Sequence, residues 1–131
     1  LYLKSGKPTL EDQFISITHS HSFVAIYVHQ SREIGVDVEK VQKKITRISH
    51  KFIRNDEHWA TTDLAKTIIW SCKESVYKFY DIEGLDFKRH IKITPLNNNL
   101  YSAQIELESN GQEELYLKVT IFEDMVLTYT L

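Results

Sequence analysis

Trp70-Ser71-Cys72-Lys73-Glu74-Ser75-Val76-Tyr77-Lys78 is the stretch whose reading decides the rest of the chain. Read as a helix, it places Trp70, Lys73, Glu74, Tyr77 and Lys78 on one side, at spacings of three and four. Ile69, Cys72, Val76 and Phe79 fall on another side and are expected in the core. Glu74 and Lys78 stand at i and i+4 with the acid on the N-terminal side, the better order for an ion pair. Taken alone, such a pair is an ordinary surface salt bridge. What lies upstream gives it a second reading.

Upstream, Ile34-Gly35-Val36-Asp37-Val38-Glu39 alternates as a strand. Asp37 and Glu39 then share one face, and Val36 and Val38 the other. Two carboxylates side by side cost little in water, but partly buried they call for a cation. Oxygen donors alone suit a hard ion such as Mg2+. With Glu74 from the following helix, Asp37 and Glu39 form a candidate three-carboxylate metal site. Two further strands precede this one, Phe14–Thr18 and Phe23–His29, rich in β-branched and aromatic residues. Between them Thr18-His19-Ser20-His21-Ser22 reads as a polar turn. Its hydroxyls and imidazoles either cap the loop or hold phosphate oxygens. No Cys or third His stands near His19 and His21, so zinc is not expected there. Gly6-Lys7-Pro8 reads as a turn.

Between the acidic strand and the long helix, residues 40–54 hold six basic side chains and no acid: Lys40, Lys43, Lys44, Arg47, Lys51 and Arg54. Ile45, Ile48 and Phe52 recur within it at helical spacing. This reads as a short amphipathic helix whose basic face is either simply solvated or a dock for an acidic partner. Asn55 is placed to cap a helix beginning at Asp56-Glu57. Thr61, Thr62 or Asp63 starts the long helix, which runs through Tyr80. After Gly84 four strands are expected, Ile91–Thr94, Tyr101–Leu107, Leu115–Phe122 and Met125–Leu131. Turns rich in Asn, Gly and Asp join them into an antiparallel meander.

With 131 residues the chain fits one domain with a real core. Sixteen Lys and Arg against eighteen Asp and Glu leave a formal charge of −2, which gives no global push towards nucleic acid or a membrane. No apolar run reaches the length of a membrane span. A single cysteine, Cys72, excludes an internal disulfide and fits a reducing, cytoplasmic setting.

Three blocks together resemble the 4'-phosphopantetheinyl transferase superfamily. Gly6-Lys7-Pro8 with Ile17-Thr18-His19-Ser20 is similar to the family's GKP and SHS elements, with Thr18 in place of the usual Ser. Ile34–Glu39 resembles its (V/I)G(V/I)DxE block, and Trp70–Lys78 its WxxKE(S/A)xxK block. The first pair of elements favours the larger, surfactin-activating (Sfp-type) branch over the small holo-[acyl-carrier-protein] synthase branch. The Sfp-type branch is a pseudo-dimer of two related halves, whereas only five residues precede Gly6 here. The expectation is therefore a single domain over 1–131 lacking the N-terminal part of that architecture. It would be a fragment, a partly ordered chain or the partner of another subunit.

The resemblance implies an α+β fold, an antiparallel sheet packed with a long helix and a short basic helix. It implies transfer of the 4'-phosphopantetheine arm of coenzyme A to a serine of an apo acyl or peptidyl carrier protein, as in fatty acid biosynthesis. By the same likeness Asp37, Glu39 and Glu74 would hold Mg2+, and Glu74 or a water it orients would be the base. Glu57 would be an assisting base or a metal-supporting acid. Lys78 would neutralise the leaving diphosphate, and Lys7, Thr18, His19 and Ser20 would hold phosphates of coenzyme A. Residues Lys40–Arg54 would face the acidic carrier, and Lys73 would be structural, paired with a nearby acid. A metal-dependent nuclease and a catalytically silent coenzyme A binding module are the competing classes. The near-neutral charge argues against the nuclease.

Overall fold

A computed structural model describes residues 9–108 and 111–131. Strands β1 (Phe14–Ser20) and β2 (Phe23–His29) form an antiparallel hairpin. Strand β3 (Val36–Lys40) leads into the short helix α1 (Lys44–Ile48), a 3-10 turn at Ser49–Lys51, and then the long helix α2 (Asp63–Tyr80). A one-turn helix, α3 (Phe87–His90), opens onto β4 (Ile91–Pro95), β5 (Leu100–Leu107), β6 (Gly111–Phe122) and β7 (Met125–Thr130). The last four are the expected meander. β7 then pairs antiparallel with β3, giving a five-stranded sheet in the order β3-β7-β6-β5-β4. The architecture is the expected α+β class.

Helix α2 lies across this sheet. Its N-terminus is capped by Thr62, whose hydroxyl accepts from the Ala65 N–H, and its C-terminus by Asp81 in the left-handed conformation. Ile68, Ile69, Cys72 and Val76 enter the core with Ile91, Ile93, Ala103, Ile105, Leu117, Val119 and Val126 of the sheet. Phe79, expected there too, is only partly buried and stacks edge-on against Tyr80. No described helix is long and apolar enough to cross a membrane.

Strand β3 is an edge strand of the sheet, and the hairpin protects that edge. Ser16 and Thr18, two apart on β1 and so on one face, accept hydrogen bonds from the N–H groups of Val36 and Val38 at 3.1 and 3.3 Å. Side-chain hydroxyls thus take the place of a neighbouring strand. Thr18 and Ser20 lie within β1, so the polar turn between the strands is shorter than expected.

Two helical expectations are corrected. The basic span is helical only over Lys44–Ile48 plus the 3-10 turn, since Lys40 ends β3 and Phe52 turns into the core. Ile45 is buried, whereas Ile48 is exposed. No helix begins at Asp56-Glu57. Residues 54–60 form successive turns instead. The Glu57 N–H donates to the Arg54 carbonyl, the Ala60 N–H donates to the Glu57 carbonyl, and the Glu57 side chain bends back to the Arg54 N–H at 2.8 Å. A buried acid holds this segment in a shape that its local propensity does not favour.

Candidate functional site

Gly35 sets how closely α2 approaches β3. A Cβ at this position would lie 1.9 Å from the Ser75 carbonyl oxygen, so helix backbone rests directly on strand backbone. One turn along, Lys78 reaches the strand. Its ammonium donates to the Val36 carbonyl at 3.0 Å and to Asp37 Oδ1 at 3.2 Å. The lysine therefore pairs with an acid on β3 rather than with Glu74 four residues before it. Thr18 donates to the same Asp37 oxygen at 3.4 Å.

The other oxygen, Asp37 Oδ2, is buried without a hydrogen-bond partner. Burial, then the charge of neighbouring Glu39, holds the Asp37 carboxyl well above the usual carboxylate range. Glu74 adds to this, and Lys78 opposes it. Glu74 is also raised, first by burial and then by Glu39 against the pull of Lys78. Its carboxylate makes no hydrogen bond with a described residue. Three acids and one ammonium thus gather at the edge where α2 crosses β3. Among the described residues no three His, Cys, Asp or Glu side chains already converge on one point. The donor set nonetheless fits a hard divalent cation. It is all oxygen, it includes a buried carboxylate oxygen with no hydrogen-bond donor among the described residues, and its members raise one another's affinity for positive charge.

A cavity of about 240 Å³ adjoins this cluster and shares Glu39 with it. Ser20 and His21 of the hairpin tip, Lys44 and Ile45 of α1, and Thr67 and Trp70 of α2 also form its wall. Ser20 contacts the His21 ring at 3.1 Å, and His21 meets Gln42 at 3.2 Å. His19, expected beside Ser20, is exposed and is not among the lining residues. The Thr18 hydroxyl, expected to hold phosphate, is buried between Asp37 and Val38. Its place is that of a support for the acid. Lys7 lies outside the described residues.

Lys73 is paired with a nearby acid, as the resemblance implied, and that acid is Glu57, which thereby stands apart from the site acids. Lys73, fully buried, donates to Glu57 Oε1 at 2.8 Å and to the carbonyls of Phe52 and Phe87 at 2.7 and 2.9 Å, which engages all three of its protons. Burial holds its ammonium below the usual lysine range, with Glu57 opposing. Glu57 takes the Ile93 N–H on its second oxygen at 2.7 Å. Both groups are fully paired inside the fold, so the structure corrects the placement of Glu57 with the site acids. The single helix face read from the sequence splits accordingly. Trp70 and Tyr77 pack on Phe87 around the buried pair, while Glu74 and Lys78 alone look to β3. Sequence reasoning passed over Ser16, Gly35, Ser71 and Thr128. The glycine beside two acids was the one legible signal among them.

The family model of the 4'-phosphopantetheinyl transferase superfamily matches residues 33–130. The chain belongs to that superfamily, whose shared chemistry is phosphopantetheine transfer. The matched span contains Gly35, Asp37, Glu39, Glu74 and Lys78, while the hairpin carrying Thr18, His19 and Ser20 precedes it. No curated protein matches the chain.

Proposed function

We propose that this protein transfers the 4'-phosphopantetheine group of coenzyme A to a serine hydroxyl of an apo carrier protein, releasing adenosine 3',5'-bisphosphate. The observation that carries this reading is the buried, unpartnered Asp37 Oδ2, with Glu39 and Glu74 around it, inside the segment that matches the family. Asp37, Glu39 and Glu74 would hold a divalent cation, Mg2+ in the first instance. Bound there, the ion supplies positive charge for the pyrophosphate of coenzyme A.

In the transfer, the serine oxygen forms a bond to the phosphorus that bears pantetheine. The pyrophosphate P–O bond on its other side breaks, and its electron pair leaves on adenosine bisphosphate. The serine proton goes to Glu74 or to a water it orients, since its carboxylate makes no hydrogen bond with a described residue. Lys78, anchored on β3, holds positive charge beside the phosphates. Ser20 lines the cavity next to Glu39 and would bind coenzyme A there. The exposed Lys43, Lys44, Arg47 and Lys51 of the basic segment would dock an acidic carrier protein beside the same cavity.

The test is mass spectrometry of an apo carrier protein after incubation with this protein, coenzyme A and Mg2+. The expected result is a carrier heavier by one phosphopantetheine, dependent on the metal. A carrier left unmodified while coenzyme A binds normally would favour a binding module instead.

A further inference from the structure

A knot of three buried hydroxyls ties α2 to the sheet directly beneath the acid cluster. Thr128 stands on β7 opposite Asp37 in the strand ladder. Its Oγ1 lies 2.6 Å from Ser75 Oγ and 2.9 Å from Ser71 Oγ, and it donates to the Ser71 carbonyl at 2.9 Å. None of Thr128, Ser71 and Ser75 is exposed to solvent. With Thr128 giving its hydrogen to the Ser71 carbonyl, its oxygen is left to accept from Ser71 and Ser75, and Ser75 Oγ also lies 3.1 Å from the Thr128 carbonyl. Water has no access to replace any of these bonds.

The position of this knot matters more than its strength. Ser71 and Ser75 lie three residues before and one after Glu74, and Lys78 follows in the next turn. Ser71 Oγ also approaches the Asp37 carbonyl at 3.5 Å. Gly35 makes the contact close but carries no group that chooses one setting along the helix over another. Apolar burial of Ile68, Cys72 and Val76 is non-directional. A hydroxyl with two donors and one acceptor in place is directional.

We infer that Thr128 is a positioning residue: its buried hydroxyl fixes the register of α2 against β3 and β7, and so the spacing of Glu74 and Lys78 from Asp37 and Glu39. The inference rests on reading those three acids as a divalent-cation site. Residues that orient metal ligands without touching the metal commonly change its affinity by about 10–100-fold.

The experiment is calorimetric titration of Mn2+ into the full chain and its Thr128→Val and Thr128→Ser variants, with thermal melts of each. Valine keeps the shape and loses the hydroxyl, whereas serine keeps the hydroxyl. Thr128→Val is expected to bind Mn2+ about tenfold more weakly, and Thr128→Ser to stay within about twofold of the wild type. A hydroxyl that serves stability alone would lower the melting temperature of Thr128→Val and leave the Mn2+ affinity unchanged, which overturns the inference. Equal weakening in Thr128→Ser overturns it as well. Should Thr128→Val fail to fold, the double variant Ser71→Ala/Ser75→Ala decides in the same assay. A similar loss supports the inference, and wild-type affinity overturns it. Absence of Mn2+ binding by the wild type would overturn the cation site itself and the inference with it.

Discussion

Lys78 Nζ sits 3.2 Å from Asp37 Oδ1, on a strand 41 residues earlier in the chain, and not on Glu74 one helical turn away. Among the described residues this pairing leaves Glu74 without a hydrogen bond and Asp37 with one engaged oxygen and one without a partner. Lys78→Ala removes the ammonium that opposes the rise of the Asp37 carboxyl. Transfer should become slow and coenzyme A should bind less tightly, because the charge acts on diphosphate in both ground and transition states. Lys78→Arg should recover part of both, keeping the charge with altered geometry. Full saturation curves for the two variants check this, and equal behaviour of Ala and Arg would contradict it.

Glu74→Gln separates proton transfer from binding. The amide keeps the size, loses the charge and accepts no proton. Under the proposed function it abolishes transfer even at saturating metal and coenzyme A, with a circular dichroism spectrum like that of the wild type. Near-normal turnover by the folded variant would remove Glu74 from the chemistry.

The raised Asp37 and Glu74 carboxyls make the metal-free protein sensitive to pH. Both affinities for a proton are higher in the folded than in the unfolded state. Their contribution is therefore fully present below the unfolded carboxylate range and is lost as pH rises through the folded values. Metal-free thermal melts should show the stability from these groups falling as pH rises from the ordinary carboxylate range, about 4, upward. Asp37→Asn should flatten that slope, raise the metal-free melting temperature near neutrality and erase most of the rise produced by Mg2+. A Mg2+ response unchanged in Asp37→Asn would count against the site.

Glu57 and Lys73 should behave as a stability pair. Replacing one member leaves the other charged, buried and unpaired, which costs about 3–5 kcal/mol. Glu57→Gln should therefore lower the urea midpoint strongly. Whatever fraction remains folded at low temperature should transfer at nearly the wild-type rate. A folded, stable Glu57→Gln with lost turnover would return Glu57 to the chemistry.

Charge reversal on the basic segment is best made at Lys43 and Arg47. Lys44 lines the cavity shared with Glu39, so changing it would mix two effects. Lys43→Glu with Arg47→Glu should weaken use of an acidic carrier, leave coenzyme A affinity nearly unchanged, and matter less as salt rises. Kinetics against carrier concentration at two ionic strengths measure it.

Much of this molecule is legible in local pattern. Alternation put Asp37 and Glu39 on one side of β3, helical spacing placed Ile69, Cys72 and Val76 inward, and Thr62 was among the three residues read as possible starts of α2. The meander from β4 to β7 followed from its turns. These features depend on neighbours within a few residues, where backbone geometry dictates direction. What a side chain meets at the end of that direction is another matter. On the wheel, Lys73 and Glu74 are adjacent charges of one face. Only the packing of residues 54–60 and α3 against α2 buried Lys73 with Glu57, while the edge of β3 took Lys78. The hydroxyls of Thr18 and Thr128 gained their partners in the same way, from strands distant in sequence. Local spacing decides where a group points. Which charges are stripped of water, and by what they are then neutralised, is decided when the elements close on one another.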